Sequence, residues 1–158
     1  MRKQSIFLAF IAFTSTAIAQ QQELKNKKDG NYKFTVVKNL EATAVQNQAK
    51  SSTCWSFSSL SFIESELLRM GKPSVNLSEM FVVHHAYSDK AEKYVRMHGS
   101  AHFAAGGAFH DVLYVMKKYG IVPQSVYTGM PNGEKEINHE QMDQMLKGMV
   151  SGVIAAKK

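Results

Sequence analysis

The feature that most constrains this chain is the stretch 46–57, Gln-Asn-Gln-Ala-Lys-Ser-Ser-Thr-Cys-Trp-Ser-Phe, which sets the only cysteine beside the only tryptophan. Phe57, Leu60, Ile63, Leu67 and Met70 recur at helical spacing, with small serines at 56, 58, 59 and 61 elsewhere around the cylinder. The pattern predicts a helix from Cys54 to Met70 whose first half is buried nearly all round, with Glu64, Glu66 and Arg69 marking where it reaches solvent. A lone thiol has a passive reading, as a small buried hydrophobe. It also has a chemical one, because the unpaired N–H groups and macrodipole of a helix start favour the thiolate. Acyl transfer further requires donors for an oxyanion, and the Gln48 amide, six residues upstream, can serve beside the backbone N–H of Cys54. The missing partner is a base, usually a histidine held by an amide or carboxylate.

The rest of the chain supplies mostly helices. Residues 20–31 are polar and are expected to form a flexible stretch ending in a turn at Gly30. Tyr32–Val37 alternates and is rich in β-formers, so it reads as a strand, and 39–47 as extended or loop structure leading to Gln48. Gly71, with Pro73 just beyond, stops the first helix. Ser78 is expected to cap a second helix that starts at Glu79 and runs through Phe81, Val82, His85 and Ala86 toward Met97. A loop rich in Gly and Ala follows from 99 to 107. A third helix is expected from Ala108 to Tyr119, with Phe109, Val112, Leu113 and Met116 inward and Gly120 closing it. Asn138 and Gln141 read as a capping pair for a last amphipathic helix bearing Met142, Met145, Leu146, Met149 and Val150, in which the sequence ends. The count is one strand against three or four helices, in a chain long enough to bury a core.

Arg2 and Lys3, the apolar run from Ile6 to Phe13 and the small residues closing at Ala17-Ile18-Ala19 read as a signal peptide cleaved after about Ala19. The apolar run is broken by Thr14, Ser15 and Thr16 before reaching the roughly 18–20 residues of a membrane span, so no stable membrane anchor is expected. Without that segment, which carries Arg2 and Lys3, the formal charge falls from +6 to +4. The lysines are scattered rather than massed with aromatics, which argues against nucleic acid as a partner. An exported chain with one cysteine cannot pair it internally.

Gln48, Cys54, Trp55, Ser56, Phe57 and Ser58 together resemble the nucleophile segment of papain-like cysteine peptidases. Asn76-Leu77-Ser78-Glu79 is similar to that family's Leu-Ser-Glu helix start, and Gly106-Gly107 followed by a helix ending Lys118-Tyr119-Gly120-Ile121 is similar to its Gly-Gly and Tyr-Gly-Ile region. Tyr127 stands where the family often has a tyrosine. The resemblance covers about residues 40–130 and implies a papain-like α+β fold, of which this chain holds the N-terminal helical half, with a central helix starting at the nucleophile. It implies Cys54 as nucleophile, Gln48 as oxyanion donor, Gly106 and Gly107 as a backbone ledge for an extended peptide substrate, and Trp55 as packing behind the thiol. Glycines suit a ledge because a side chain would block a strand-like ligand. No cofactor and no metal are implied.

Two departures refine the resemblance. Ser51 and Ala104 stand where secreted members usually carry a disulfide. The longer stretch from Phe81 to Ala105, with Lys118–Pro123, is similar to the bleomycin hydrolase and aminopeptidase C branch, which implies aminopeptidase-like action and a possible homo-oligomer in the full-length form. The resemblance also places the catalytic histidine and asparagine far downstream, in a β-rich second half that these residues do not reach. Of the six histidines, His84, His85 and His110 read as ordinary helix residues and His139 as a surface residue. His98 and His102 flank the Gly-rich loop near the expected cleft; a metal pair there would lack a completing Cys or Glu. The chain is therefore expected to be a cysteine peptidase domain inactive by itself. The alternative is a truncated or degenerate copy that binds peptides without cleaving them.

Overall fold

The computed structural model describes residues 24–130, 134 and 136–156, so the expected signal peptide lies outside the described residues. These residues fall into two compact units divided between Asn39 and Leu40. In the first, β1 (Leu24–Lys25) pairs antiparallel with β2 (Lys33–Phe34), Leu24 opposite Phe34. The strand expected over Tyr32–Val37 thus shrinks to two residues. The physical reason is that neither face is buried: Tyr32, Phe34, Val36 and Val37 are all exposed, so alternation has no core to serve.

Among the described residues the second unit contains four helices: α1 (Cys54–Arg69), α2 (Glu79–Arg96), α3 (Phe109–Tyr119) and α4 (Glu140–Ala155). Helix α2 touches each of the other three, and α1 also packs on α3. The core gathers around α2, where Val82, Val83, Ala86 and Tyr87 meet Leu60 of α1, Val112 and Val115 of α3 and Val150 of α4. The helix ends follow local chemistry. Gly71 (φ 71°) and Gly120 (φ 84°) take the left-handed conformation that ends α1 and α3, as their positions predict. Ser78 Oγ accepts from Phe81 N at 3.0 Å and donates to the Tyr127 carbonyl at 2.6 Å, so one hydroxyl caps α2 and ties it to the chain after α3. The same junction is closed by Ser78 N to Val122 O at 2.9 Å and Gln124 N to Asn76 O at 2.8 Å.

Several expectations are corrected. On α3 the inward pair is Val112 and Val115, whereas Phe109 and Leu113 are largely exposed; Phe109 sets its ring edge-on to Phe62 of α1, 5.8 Å between centroids. On α4 the packed row is Met142, Leu146, Val150 and Ile154, while Met145 and Met149 face outward. The α4 cap is His139, with Asn138 Oδ1 accepting from Glu140 N at 3.0 Å and no closing bond from Gln141.

The most consequential correction concerns Glu64, expected at the solvent boundary and instead buried. Its Oε1 accepts from Leu77 N at 2.6 Å and its Oε2 from Thr43 Oγ1 at 2.5 Å. One carboxylate therefore fastens the segment before the cysteine and the segment before α2 to the middle of α1. Charge-assisted bonds to a buried carboxylate are strong, and removing the acceptor strands buried donors. Glu64→Ala should cost about 1–3 kcal/mol in urea unfolding, against about 0.5 kcal/mol or less for Glu66→Ala, whose partner Arg69 is exposed. Equal effects of the two substitutions would contradict this assignment.

Candidate active site

The thiol of Cys54 is exposed and sits on the first residue of α1. The helix start is unusually bare: its N-cap, Thr53, makes no side-chain capping bond, and no acidic residue lies in the first turn. The positive end of the helix is thus directed at the thiol and its surroundings without an intervening carboxylate of its own. Directly behind it, Ser56 Oγ donates to the Glu79 carbonyl at 3.0 Å, which ties the first turn of α1 to the start of α2, and Ser59 Oγ bonds back to the Trp55 carbonyl at 2.6 Å within α1.

The segment that carries Gln48 to Cys54 is a tight turn. Ser51 N donates to Gln48 O at 3.1 Å, and Ser51 Oγ and Thr53 Oγ1 share a hydrogen bond of 2.6 Å in full burial. Ala49 (φ 46°) and Ser52 (φ 56°) adopt left-handed conformations, although neither is a glycine. Each such residue costs about 1–2 kcal/mol, and strain of this kind persists only where the surroundings over-determine it. Gln48 is half-buried, and its Oε1 is buried without a hydrogen-bond partner among the described residues. A buried acceptor without a partner is an exception among polar groups in folded proteins.

The ledge follows from Trp55. Its Nε1 donates to the Ala105 carbonyl at 2.9 Å, so the indole lies beneath the chain that leads into Gly106 and Gly107. A Cβ on Gly107 would stand 2.6 Å from Cδ2 and Cε2 of that ring, whereas one on Gly106 would meet nothing within 4 Å. Glycine at 107 is thus required from below, by Trp55, in addition to any need for access from above. Lys90 of α2 donates to the Gly106 carbonyl and holds its ammonium 5.3 Å from the Trp55 ring centroid. Burial lowers the Lys90 pKa, opposed by the nearby Asp111 carboxylate. Lys90 gave no signal in the sequence, being one scattered lysine among many.

None of the histidines is hydrogen-bonded to Cys54. His84 and His85 belong to a ring cluster with Phe81, Tyr119 and Tyr127, in which His85 stacks on Tyr119 at 4.0 Å. His102 and His110 line a groove of about 980 Å³ between α2 and α3. His98 (φ 51°) lies in the turn that closes α2. His139, expected at the surface, is buried, and the chain on either side of it bonds to the turn before Cys54: Lys50 N to Ile137 O at 3.0 Å and His139 N to Lys50 O at 3.1 Å. Sequence spacing does not reveal this clamp, because a parallel bridge between Lys50 and Asn138 joins segments remote in the chain.

The papain family cysteine protease model matches residues 30–154. No curated protein matches the chain.

The ledge geometry is open to a direct comparison of the two glycines. Gly107→Ala should shift the emission of the single tryptophan and lower stability by about 1–3 kcal/mol through overpacking, whereas Gly106→Ala should leave the emission unchanged. A silent Gly107→Ala would contradict the placement of Trp55.

Proposed function

Given that the chain belongs to the papain family of cysteine proteases, we propose that it contributes the nucleophile half of a peptide-hydrolysing cleft. Cys54 is the nucleophile in this reading: its thiolate attacks the scissile carbonyl carbon, and the carbonyl oxygen becomes an oxyanion that the Cys54 N–H and the Gln48 amide stabilise. Collapse expels the protonated amine and leaves a thioester on Cys54, which water hydrolyses to release the acid and restore the thiol. Gly106 and Gly107 pair with the extended substrate backbone. The observation that carries the proposal is an exposed thiol on the first residue of α1, reached through a strained turn that begins at Gln48.

The bleomycin hydrolase and aminopeptidase C branch is the favoured assignment within the family, supported by the long segment from Phe81 to Ala105 and by Lys118–Pro123. Aminopeptidase-like action and a homo-oligomer of the full-length form go with it. Export, with cleavage after about Ala19, is supported by the pattern of residues 2–19. A proton acceptor for the thiol is what the described residues do not bring to Cys54, so the 158 residues by themselves are proposed to lack efficient turnover. The base would come from chain outside them. The second reading, a peptide-binding protein without catalysis, shares the ledge and differs only in that no base is ever supplied.

Incubation of the purified chain with fluorogenic aminoacyl and dipeptidyl substrates under reducing conditions should give no turnover above a Cys54→Ala control. Turnover that the substitution abolishes would overturn the proposed dependence on an external base.

A further inference from the structure

Three polar groups of residues 105–108 are engaged, each from a different helix. The Ala105 carbonyl accepts from Trp55 Nε1 of α1 at 2.9 Å, the Gly106 carbonyl accepts from Lys90 Nζ of α2, and the Ala108 N–H donates to Asp111 Oδ2 of α3 at 2.8 Å. Each bond sets one peptide plane, because these peptides are trans and flat, so that carbonyl and N–H point opposite ways. The Ala105 bond turns Gly106 N–H away from Trp55, and the Gly106 bond turns Gly107 N–H away from Lys90. The Ala108 bond likewise turns the Gly107 carbonyl away from Asp111. Among the described residues, none of these three outward groups has a hydrogen-bond partner.

The middle plane is the one least secured by its own sequence. It joins two glycines, and a peptide with a glycine on each side rotates to face either way at little steric cost. A Cβ on Gly106 would meet nothing within 4 Å, so packing does not hold that residue either. Lys90 decides which way the plane faces. Its ammonium is kept in place by the Trp55 ring, 5.3 Å from the centroid, and a hydrogen bond from a cation is stronger than one between neutral groups. We propose that Lys90 is a positioning residue for peptide recognition: by holding the Gly106 carbonyl it keeps Gly107 N–H turned outward, as a donor to a backbone carbonyl of an extended ligand. Without that hold the plane is free to flip, which presents the Gly106 carbonyl where the ligand's own carbonyl needs an N–H. The flipped form does not pair with the ligand there, so binding weakens by the fraction of molecules that adopt it. Lys90 acts in this way through the ledge rather than on Cys54.

This inference rests on the proposed reading of Gly106 and Gly107 as a ledge for an extended peptide, and the test keeps the two apart. A capped dipeptidyl vinyl sulfone would be compared with two analogues, each with one of its two backbone carbonyls replaced by a thiocarbonyl, a weaker hydrogen-bond acceptor. Rates of adduct formation on Cys54 would be measured in the full chain for the parent, Lys90→Met and Lys90→Arg, with folding followed by circular dichroism. Ratios between the reagents cancel any change in the thiol itself. In the parent, one analogue should react about threefold to tenfold more slowly than the unmodified reagent. Lys90→Met should lose that difference, and Lys90→Arg, which keeps a cationic donor, should retain most of it. A role in stability alone would lower the melting temperature of Lys90→Met without moving the ratio, and that result overturns the proposal. Should Lys90→Met not fold, Lys90→Arg decides: a folded variant that no longer distinguishes the reagents overturns it. A parent that reacts equally with all three reagents overturns the ledge reading itself, and the positioning role with it.

Discussion

The turn from Gln48 to Thr53 is the constraint on which the remaining structure depends. Two non-glycine residues in left-handed backbone, Ala49 and Ser52, make it unfavourable in isolation. It persists because several of its polar groups are engaged from different directions: Ser51 N by Gln48 O, Ser51 Oγ by Thr53, and both backbone groups of Lys50 by residues 137 and 139. The outcome is an amide and a thiol set on opposite ends of a short, rigid connection. Such pre-organisation is what acyl transfer asks of a nucleophile and its oxyanion donor.

Around that turn, α2 acts as the frame. It touches every other helix, and its first and middle turns serve the cleft in distinct ways. Glu79 lends its carbonyl to Ser56. Lys90 holds the Gly106 carbonyl, while the indole of Trp55 supports the same chain through Ala105. The chain at Ala105 and Gly106 is therefore held by a cation and an aromatic ring. The apolar core beneath supplies the stability, and the polar contacts supply the position.

Much of this architecture is legible in the sequence because it is local. Helix starts and stops at Ser78, Gly71 and Gly120 follow from capping chemistry and positive φ. Cys54 at the start of α1 and the close approach of Gly107 to Trp55 follow from short-range patterns that a chain can display openly. What escaped is non-local. Glu64 lies in a run with Glu66 and Arg69 that reads as a solvated face, and its burial depends on Leu77 and Thr43 arriving from elsewhere. His139 reads as a surface residue until the bridge between Lys50 and Asn138 is formed. Met145 and Met149 read as core on hydropathy, yet the packed row of α4 runs one residue away, through Met142 and Leu146. Periodicity identifies an apolar stripe without fixing which edge of it meets the core.

The central claim is that thiol, turn and ledge form one peptide-reading half-cleft, and the most direct test is covalent capture by a substrate-like electrophile. A peptidyl epoxide or vinyl sulfone and a small non-peptidyl alkylator would be compared by intact-mass spectrometry on the full chain. The account predicts a single adduct on Cys54, formed faster by the peptidyl reagent, with that preference reduced in Gly107→Ala. Equal rates for the two reagents, or a Cys54 that neither modifies, would contradict it.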